Sequence, residues 1–276
     1  MLAREDALHD RAEVSITSAR FGRMFGFSSR LVSLLLAAFV NAAVPAQAEP
    51  VSLDQPASVI LLHGLGRTPK SMNPLAEYLT ERGFRVYNFS YPSTSGTPDQ
   101  LVALLREQID TCCADSQKLH FVGHSLGGIL VRATLARDPR ANVGRLVMLG
   151  PPNHGSELVD KFGELALFRW ALGPTAPQLG TASDSFPNRL PALSIEVGVI
   201  AGTDSVNPLG AFVLPDEDDG MVTVAGTKLE GMKDFLTVPS SHTFIMRSPE
   251  VARQVAHFLH TGSFDHEKPV GTSPLH

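Results

Sequence analysis

From residue 58 onward, short unbroken apolar runs alternate with stretches whose apolar residues recur at helical spacing. Ser58–Leu62 is one such run, ending at His63-Gly64, and reads as a strand buried on both faces. Arg85–Phe89, Leu119–Val122, Leu146–Leu149, Ile195–Ala201 and Phe235–Val238 read as further strands. Between them, Pro74–Glu81 predicts a helix stopped by Gly83, and Pro98–Ile109 carries helical spacing in Leu101, Leu104 and Leu105. Helices are also expected over Gly127–Arg137 and Pro249–Leu259. Strand–helix alternation of this kind predicts a mostly parallel sheet of about six strands with helices on its faces.

Residues 156–190 break the rhythm. Leu158, Phe162, Leu165, Leu167, Phe168 and Trp170 form an aromatic-rich helical patch, followed by a loop-like Gly173–Pro187. A helix packed on the sheet and a small cap over a binding site both fit that pattern, since ligand pockets are lined by apolar side chains. No internal repeat and no linker divides the rest, so one domain is expected over 49–264, with a polar tail over 265–276.

The N-terminus has a different pattern. Arg20, Arg23 and Arg30 precede the apolar run Leu31–Val44, which leads into Ala46-Gln47-Ala48. A basic flank, a short apolar core and small residues before a cleavage point are the marks of a secretory signal, here residues 1–48. The stretch before Met24 is long and mixed in charge for such a signal, so Met24 is an alternative start. The run falls short of the roughly 20 apolar residues that span a bilayer. Export is therefore expected, to the periplasm or the medium, with no stable membrane insertion after cleavage.

Charge and cysteine content narrow the partners. The net charge is −5, and no basic cluster follows the first thirty residues. Nucleic acid is excluded as a partner, because binding it requires Lys and Arg to displace counterions. The two cysteines, Cys112 and Cys113, are adjacent and cannot staple distant segments, leaving a vicinal bridge or two thiols. No set of side chains has metal-ligand spacing and no Gly-rich phosphate loop is present, so no cofactor is expected.

The sharpest chemical signal is Gly123-His124-Ser125-Leu126-Gly127-Gly128, lying between a predicted strand and a predicted helix. That strand–turn–helix setting is what a G-x-S-x-G nucleophile elbow requires. The turn is so tight that side chains at 123 and 127 would collide, and glycine there leaves the Ser125 hydroxyl projecting alone. Serine at its ordinary pKa needs a base, itself oriented by an acid, and in this arrangement they follow in the order Ser, Asp/Glu, His. Position along the chain selects His242, in the loop after the last strand and before the last helix. Two acids compete. Asp204 directly follows the strand ending at Ala201, while Asp219 closes an acidic run and is followed by Gly220-Met221-Val222.

Together His63-Gly64, Gly123–Gly127, Pro151-Pro152-Asn153-His154-Gly155-Ser156, Asp219-Gly220-Met221-Val222 and Ser241-His242 resemble the bacterial lipase and esterase branch of the α/β-hydrolases. The likeness covers most of residues 56–260 and lies in the order and spacing of the motifs. It implies the α/β-hydrolase fold and a serine hydrolase that cleaves carboxylic esters through an acyl-enzyme, with a small ester or lipid-like substrate. In such enzymes the acid stands in an Asp-Gly-x-Val element some two dozen residues before the base, which favours Asp219, 23 residues before His242. The resemblance also assigns the oxyanion donors to the backbone N–H groups of Leu65 and Leu126, with His63 orienting its loop. One departure stands out: 156–190 is shorter than the large lids of true secreted lipases, which points toward short or medium acyl chains. An acyltransferase or thioesterase would use the same residues, and a non-catalytic binding protein would keep the fold while leaving Ser125 unreactive.

Overall fold

The structure is a computed structural model that describes residues 56–267 apart from 167–170 and 209. The signal read over 1–48, residues 268–276 of the tail, and Leu167, Phe168 and Trp170 of the aromatic patch lie outside the described residues.

In chain order the main elements are β1 (Ser58–Leu62), α1 (Asn73–Thr80), β2 (Arg85–Phe89), α2 (Pro98–Cys113), β3 (Leu119–His124), α3 (Leu126–Arg137), β4 (Val143–Leu149), α4 (Glu157–Phe162), β5 (Glu196–Gly202), α5 (Gly210–Val213), α6 (Val224–Thr227), β6 (Asp234–Val238) and α7 (Pro249–Thr261). The strands form one six-stranded sheet in the order β2-β1-β3-β4-β5-β6. Every pairing is parallel. This is the parallel sheet expected from the alternating pattern and the α/β-hydrolase architecture that the resemblance implies. Several elements run longer than their apolar cores suggested. β3 continues to His124, β4 begins at Val143, and α2 extends to Cys113, whose buried side chain prolongs the apolar stripe of Leu101, Leu105 and Ile109.

Strand side chains alternate between faces, and each face has its own core. Ile60, Leu62, Phe121, Leu146, Met148 and Val199 pack with α2 and α3 on one side. Val59, Leu61, Val122, Val147, Leu149 and Ile200 pack with α1 and α7 on the other. Each fully buried side chain of this size contributes about 1.5–3 kcal/mol. Truncating Phe121, which is fully buried, to alanine would cost about 3–5 kcal/mol. The helices are delimited locally. α2 opens with a reciprocal cap between Thr97 and Gln100, with Pro98 in its first turn. α7 starts on the Ser248 hydroxyl and ends at Gly262, whose φ of 85° only glycine adopts without strain.

The strand order reverses direction at β1, so the loops after β1 and β3 diverge to opposite sides of the sheet and open a crevice at their C-terminal ends. In open parallel sheets that switch point is where ligands bind.

Candidate active site

β3 runs into α3 through Ser125, which has φ 52° and ψ −122°. It is the one non-glycine among the described residues with positive φ. Such a backbone costs on the order of 1–3 kcal/mol and persists only where the surroundings enforce it. They do. A Cβ at Gly123 would lie 2.4 Å from the Gly128 nitrogen, and one at Gly127 would lie 2.5 Å from the Leu62 carbonyl oxygen. The Ser125 N–H donates to the Leu149 carbonyl at 2.9 Å, which fixes the turn to the end of β4.

His242 stands on the loop after β6. Its Nδ1 lies 2.7 Å from Asp219 Oδ2, and its backbone N–H donates to the Asp219 carbonyl at 2.8 Å. Asp219 is 1% exposed. Its other oxygen accepts from the N–H groups of Met221 and Val222 at 3.0 and 2.9 Å. A buried carboxylate without such donors would be strongly destabilising. Because a carboxylate oxygen accepts, Nδ1 carries a proton toward Asp219, so that Nε2 is the nitrogen that holds the lone pair in the neutral imidazole.

Glycines make room for this pair. A Cβ at Gly150, where φ is 53°, would stand 2.9 Å from Asp219 Oδ2 and 3.2 Å from His242 Nδ1. One at Gly202 would meet the Ser240 carbonyl oxygen at 2.2 Å and Asp219 Cβ at 2.9 Å. Asp204, the competing acid, is exposed, and its backbone N–H reaches the Ser240 carbonyl at 3.4 Å. The structure thus brings Asp219, and not Asp204, to His242.

His124 links the elbow to this loop. Its Nε2 donates to the His242 carbonyl at 3.0 Å, and the two rings lie 4.9 Å apart. The other nitrogen is buried without a partner. Burial, followed by the nearby His242, holds the His124 imidazole well below its ordinary pKa, so it is neutral. Gly64 packs directly on that ring, since a Cβ there would come within 2.7 Å of Nδ1.

Of the expected oxyanion donors, Leu126 follows Ser125 in the chain, and Leu65 follows Gly64, where a Cβ would lie 3.2 Å from Ser125 Cβ. Leu126 is the first residue of α3, so its N–H has no partner inside the helix. Among the described residues, no backbone or side-chain acceptor takes the Leu65 N–H. Ser125 Oγ likewise forms no hydrogen bond in the described set, and apo sites of this kind commonly tighten only on substrate binding.

Some supporting residues were not legible as such in the sequence. Arg132, one turn and a half into α3, is buried and donates to Asn153 Oδ1 and to the carbonyls of Pro187 and Leu190. Burial lowers its pKa to about 10. Asn153 in turn donates to the Thr227 carbonyl at 2.8 Å, so the Pro-Pro-Asn loop is bound from both sides. The signal for Asn153 was its motif; nothing marked Arg132. His154, next to it, is exposed. In the 156–190 segment, Leu158 is buried and Leu165 is 55% exposed. The middle of the segment docks on the loop after β2, with the Thr175 hydroxyl donating to the Gly96 carbonyl.

Among the described residues no cluster of three or more His, Cys, Asp or Glu side chains has metal-binding geometry. No described helix is long and apolar enough to cross a membrane.

The alpha/beta hydrolase family's sequence model matches residues 59–264, and the chain belongs to that family. No curated protein matches it. Among solved structures, the mature lipase BlEst2 of Bacillus licheniformis is similar at 22% identity and TM-score 0.58, over 78% of this chain and 96% of that one. Phospholipase PlaB of Legionella pneumophila is similar at 18% identity and TM-score 0.60, over 75% of this chain and 60% of PlaB. The metagenomic carboxyl esterase MGS0156 is similar at 18% identity and TM-score 0.54, over 72% of this chain and 69% of that one. At these identities the likeness establishes a shared fold.

Proposed function

We propose that this hydrolase cleaves carboxylic esters of small or lipid-like molecules through an acyl-enzyme on Ser125. The observation that carries the reading is the 2.7 Å pairing of His242 Nδ1 with the buried Asp219, at the same sheet edge as the strained Ser125. With Nδ1 protonated toward Asp219, Nε2 takes the Ser125 proton as Oγ attacks the ester carbonyl. The negative charge that develops on oxygen is met by the N–H groups of Leu126 and Leu65, each such donor contributing about 3 kcal/mol to the transition state. His242 then protonates the leaving alcohol, and in the second half-reaction it activates the water that releases the acid. Asp219 holds the tautomer and stabilises the imidazolium; it does not itself take the proton.

Exposed apolar side chains near the acid and base loops favour an apolar acyl group. Phe244, two residues past His242, is 52% exposed, and Val206, whose N–H lies beside Gly220, is 64% exposed. Export with removal of residues 1–48 belongs to the same reading, and the Cys112–Cys113 disulfide fits an oxidising compartment.

The test is labelling with a fluorophosphonate, site mapping by mass spectrometry, and turnover of p-nitrophenyl esters from acetate to palmitate. Ser125 is expected to carry the label, and Ser125→Ala to abolish labelling and turnover. An unlabelled wild-type chain would turn the reading toward a binding protein. Product analysis with added alcohols or thiols separates hydrolysis from acyl transfer.

A further inference from the structure

Three consecutive peptide units on either side of Leu65 are each held by a specific partner. The Gly64–Leu65 unit is held through its carbonyl, which accepts from His63 Nδ1 at 2.9 Å and from the Arg67 N–H at 3.2 Å. In a trans peptide the C=O and N–H point in opposite directions. Binding the Gly64 carbonyl therefore turns the Leu65 N–H the other way, and polarises it toward an incoming acceptor. The preceding unit is held by Tyr91, whose hydroxyl donates to the His63 carbonyl at 2.5 Å. The following unit is held by Ser93, whose Oγ accepts from the Gly66 N–H at 3.1 Å.

Both outer partners come from the loop after β2, which lies beside β1 in the sheet. That loop is itself rigid: the Ser93 N–H donates to the Tyr91 carbonyl at 2.9 Å, and Tyr91 and Ser93 are 8% and 4% exposed. Tyr91 does a second thing. Its ring stacks on the His63 imidazole, with centroids 4.3 Å apart and planes 11° from parallel. Since the Gly64 carbonyl can only accept, His63 Nδ1 must carry its proton, leaving Nε2 buried without a partner. Burial lowers the pKa of His63, so the neutral tautomer that makes this bond is the favoured one.

We propose that Tyr91 and Ser93 are positioning residues that aim the Leu65 N–H at the oxyanion of the tetrahedral intermediate. The inference rests on the ester-hydrolase reading and adds to it the residues that set the geometry of one donor. Neither side chain touches substrate. Each acts through a neighbouring peptide plane, and loss of either relaxes the orientation of the Leu65 unit, which is itself held through the bonds to the Gly64 carbonyl.

Tyr91→Phe retains the ring and its stack on His63 while removing one hydroxyl; Ser93→Ala removes one acceptor. For each variant, kcat and KM on a soluble p-nitrophenyl ester are compared with the Ki of a trifluoromethyl ketone, which adds to Ser125 and forms an oxyanion, and with the Ki of a carboxylate product, which does not. Removing one oxyanion donor outright costs about 10²–10³-fold, so a misaimed donor is expected to lower kcat about 10–100-fold with KM little changed. Trifluoromethyl-ketone affinity should fall by the same factor, while product affinity and Tm stay near wild type. Variants within twofold of wild-type kcat would overturn the inference, and so would a kcat loss unmatched by weaker ketone binding. A wild-type chain that takes no fluorophosphonate would overturn the hydrolase reading together with this one; a labelled, active wild type with unaffected variants would overturn this one alone.

Discussion

At the C-terminal edge of the sheet, Ser125 holds a φ of 52°, and Asp219, His63 and His124 are buried. Two of those imidazoles carry a nitrogen without a partner. At the N-terminal edge the same strands begin among matched charges. Arg145 pairs with Glu196 at 2.7 Å and reaches the Leu259 carbonyl, and Arg140 bridges Asp110 and Asp138. Arg140 beside Asp138, and Arg145 beside Glu196, hold those carboxyls below their usual range. Partly exposed pairs of this kind contribute about 0–1 kcal/mol each, so the N-terminal edge is charge-paired without being strongly stabilised, and Arg140 Nε stays buried without a partner. The C-terminal edge carries strain and buried polarity, which persist because the packed core beneath over-determines them. One edge is built to keep the strands in place and the other to hold groups where they are intrinsically unfavourable.

The largest expected effect comes from removing the charge that completes the C-terminal edge. Asp219→Asn should lower kcat by about 10⁴-fold, because an amide favours the wrong imidazole tautomer. Asp204→Asn, 15 residues earlier in sequence, should stay near wild-type turnover, as Asp204 is exposed and contacts the site through its backbone alone. Steady-state kinetics of both variants on one soluble ester check this. A collapse in the Asp204 variant with a healthy Asp219 variant would move the acid to Asp204.

Gly150→Ala tests whether glycine at the end of β4 keeps that edge open. The new Cβ would enter a left-handed backbone and press on Asp219 Oδ2 and His242 Nδ1. Displacing the pair by a fraction of an ångström to an ångström should lower kcat about 10²-fold. The low-field proton resonance of the Asp219–His242 bond should shift or vanish. An unchanged resonance and rate would mean that the loops yield easily, and that the edge is less constrained than its packing implies.

The elements that sequence made legible are those with a period or a motif. Unbroken apolar runs located the inner strands, because a strand buried on both faces has no polar alternation to confuse, while the edge strands β2 and β6 are more exposed and carry polar residues such as Asn88 and Thr237. The elbow was legible because only glycine fits at 123 and 127. Asp219 became legible through its Gly-Met-Val context, whereas Asp204, placed directly after β5, looked equally suitable from local sequence. Which acid turns inward is decided by the Ser240 backbone and the cavity over Gly150 and Gly202, both remote in sequence from residue 219. Tyr91, Ser93 and Arg132 were illegible for the same reason. Each acts on a backbone carbonyl or N–H of another segment, and a backbone partner leaves no mark in the residue alphabet.

The N-terminal edge has one buried group that resembles those at the site. His120 is 1% exposed, its Nδ1 accepts from the Arg145 N–H at 2.9 Å, and its ring lies over Gly144. That N–H is freed by the register shift between β3 and β4, so the imidazole satisfies a donor that the ladder cannot. Burial, followed by the like charges of Lys118, Arg145 and His260, lowers its pKa to about 4. The unfolded chain, with an ordinary histidine pKa of about 6.5, binds the proton more readily. The sign is therefore fixed: His120 favours the fold fully above pH 6.5, and that contribution falls as pH drops from 6.5 to 4, by up to about 3 kcal/mol. His63 and His124 act in the same direction at the other edge. His120→Asn, which keeps an acceptor for the Arg145 N–H but does not titrate, should flatten the urea-unfolding free energy across this range. An identical pH slope in the variant would assign acid sensitivity to the C-terminal edge instead.

The smallest expected effect concerns the Cys112–Cys113 disulfide at the end of α2. α2 begins beside the site, at the loop after β2, and returns to the N-terminal edge, where Ser116 leads into β3 and bonds Ser58 at 2.9 Å. A disulfide stabilises by restricting the unfolded chain, and the restriction grows with the loop it closes. Adjacent cysteines close almost none, so the contribution is about 1 kcal/mol or less. Cys113 is buried among the α2 core residues whether or not it is bridged, so reduction changes the bond without emptying a cavity. Treating the folded enzyme with dithiothreitol should therefore lower Tm by a few degrees at most, on the usual scaling of about 2–4 °C per kcal/mol for a chain of this size. Ester turnover should not change, because nothing in the bridge reaches Ser125, Leu65 or His242. Turnover that falls on reduction and returns on reoxidation, at a temperature where the reduced chain remains folded, would show that the two edges are coupled through α2 and that their separation is incomplete.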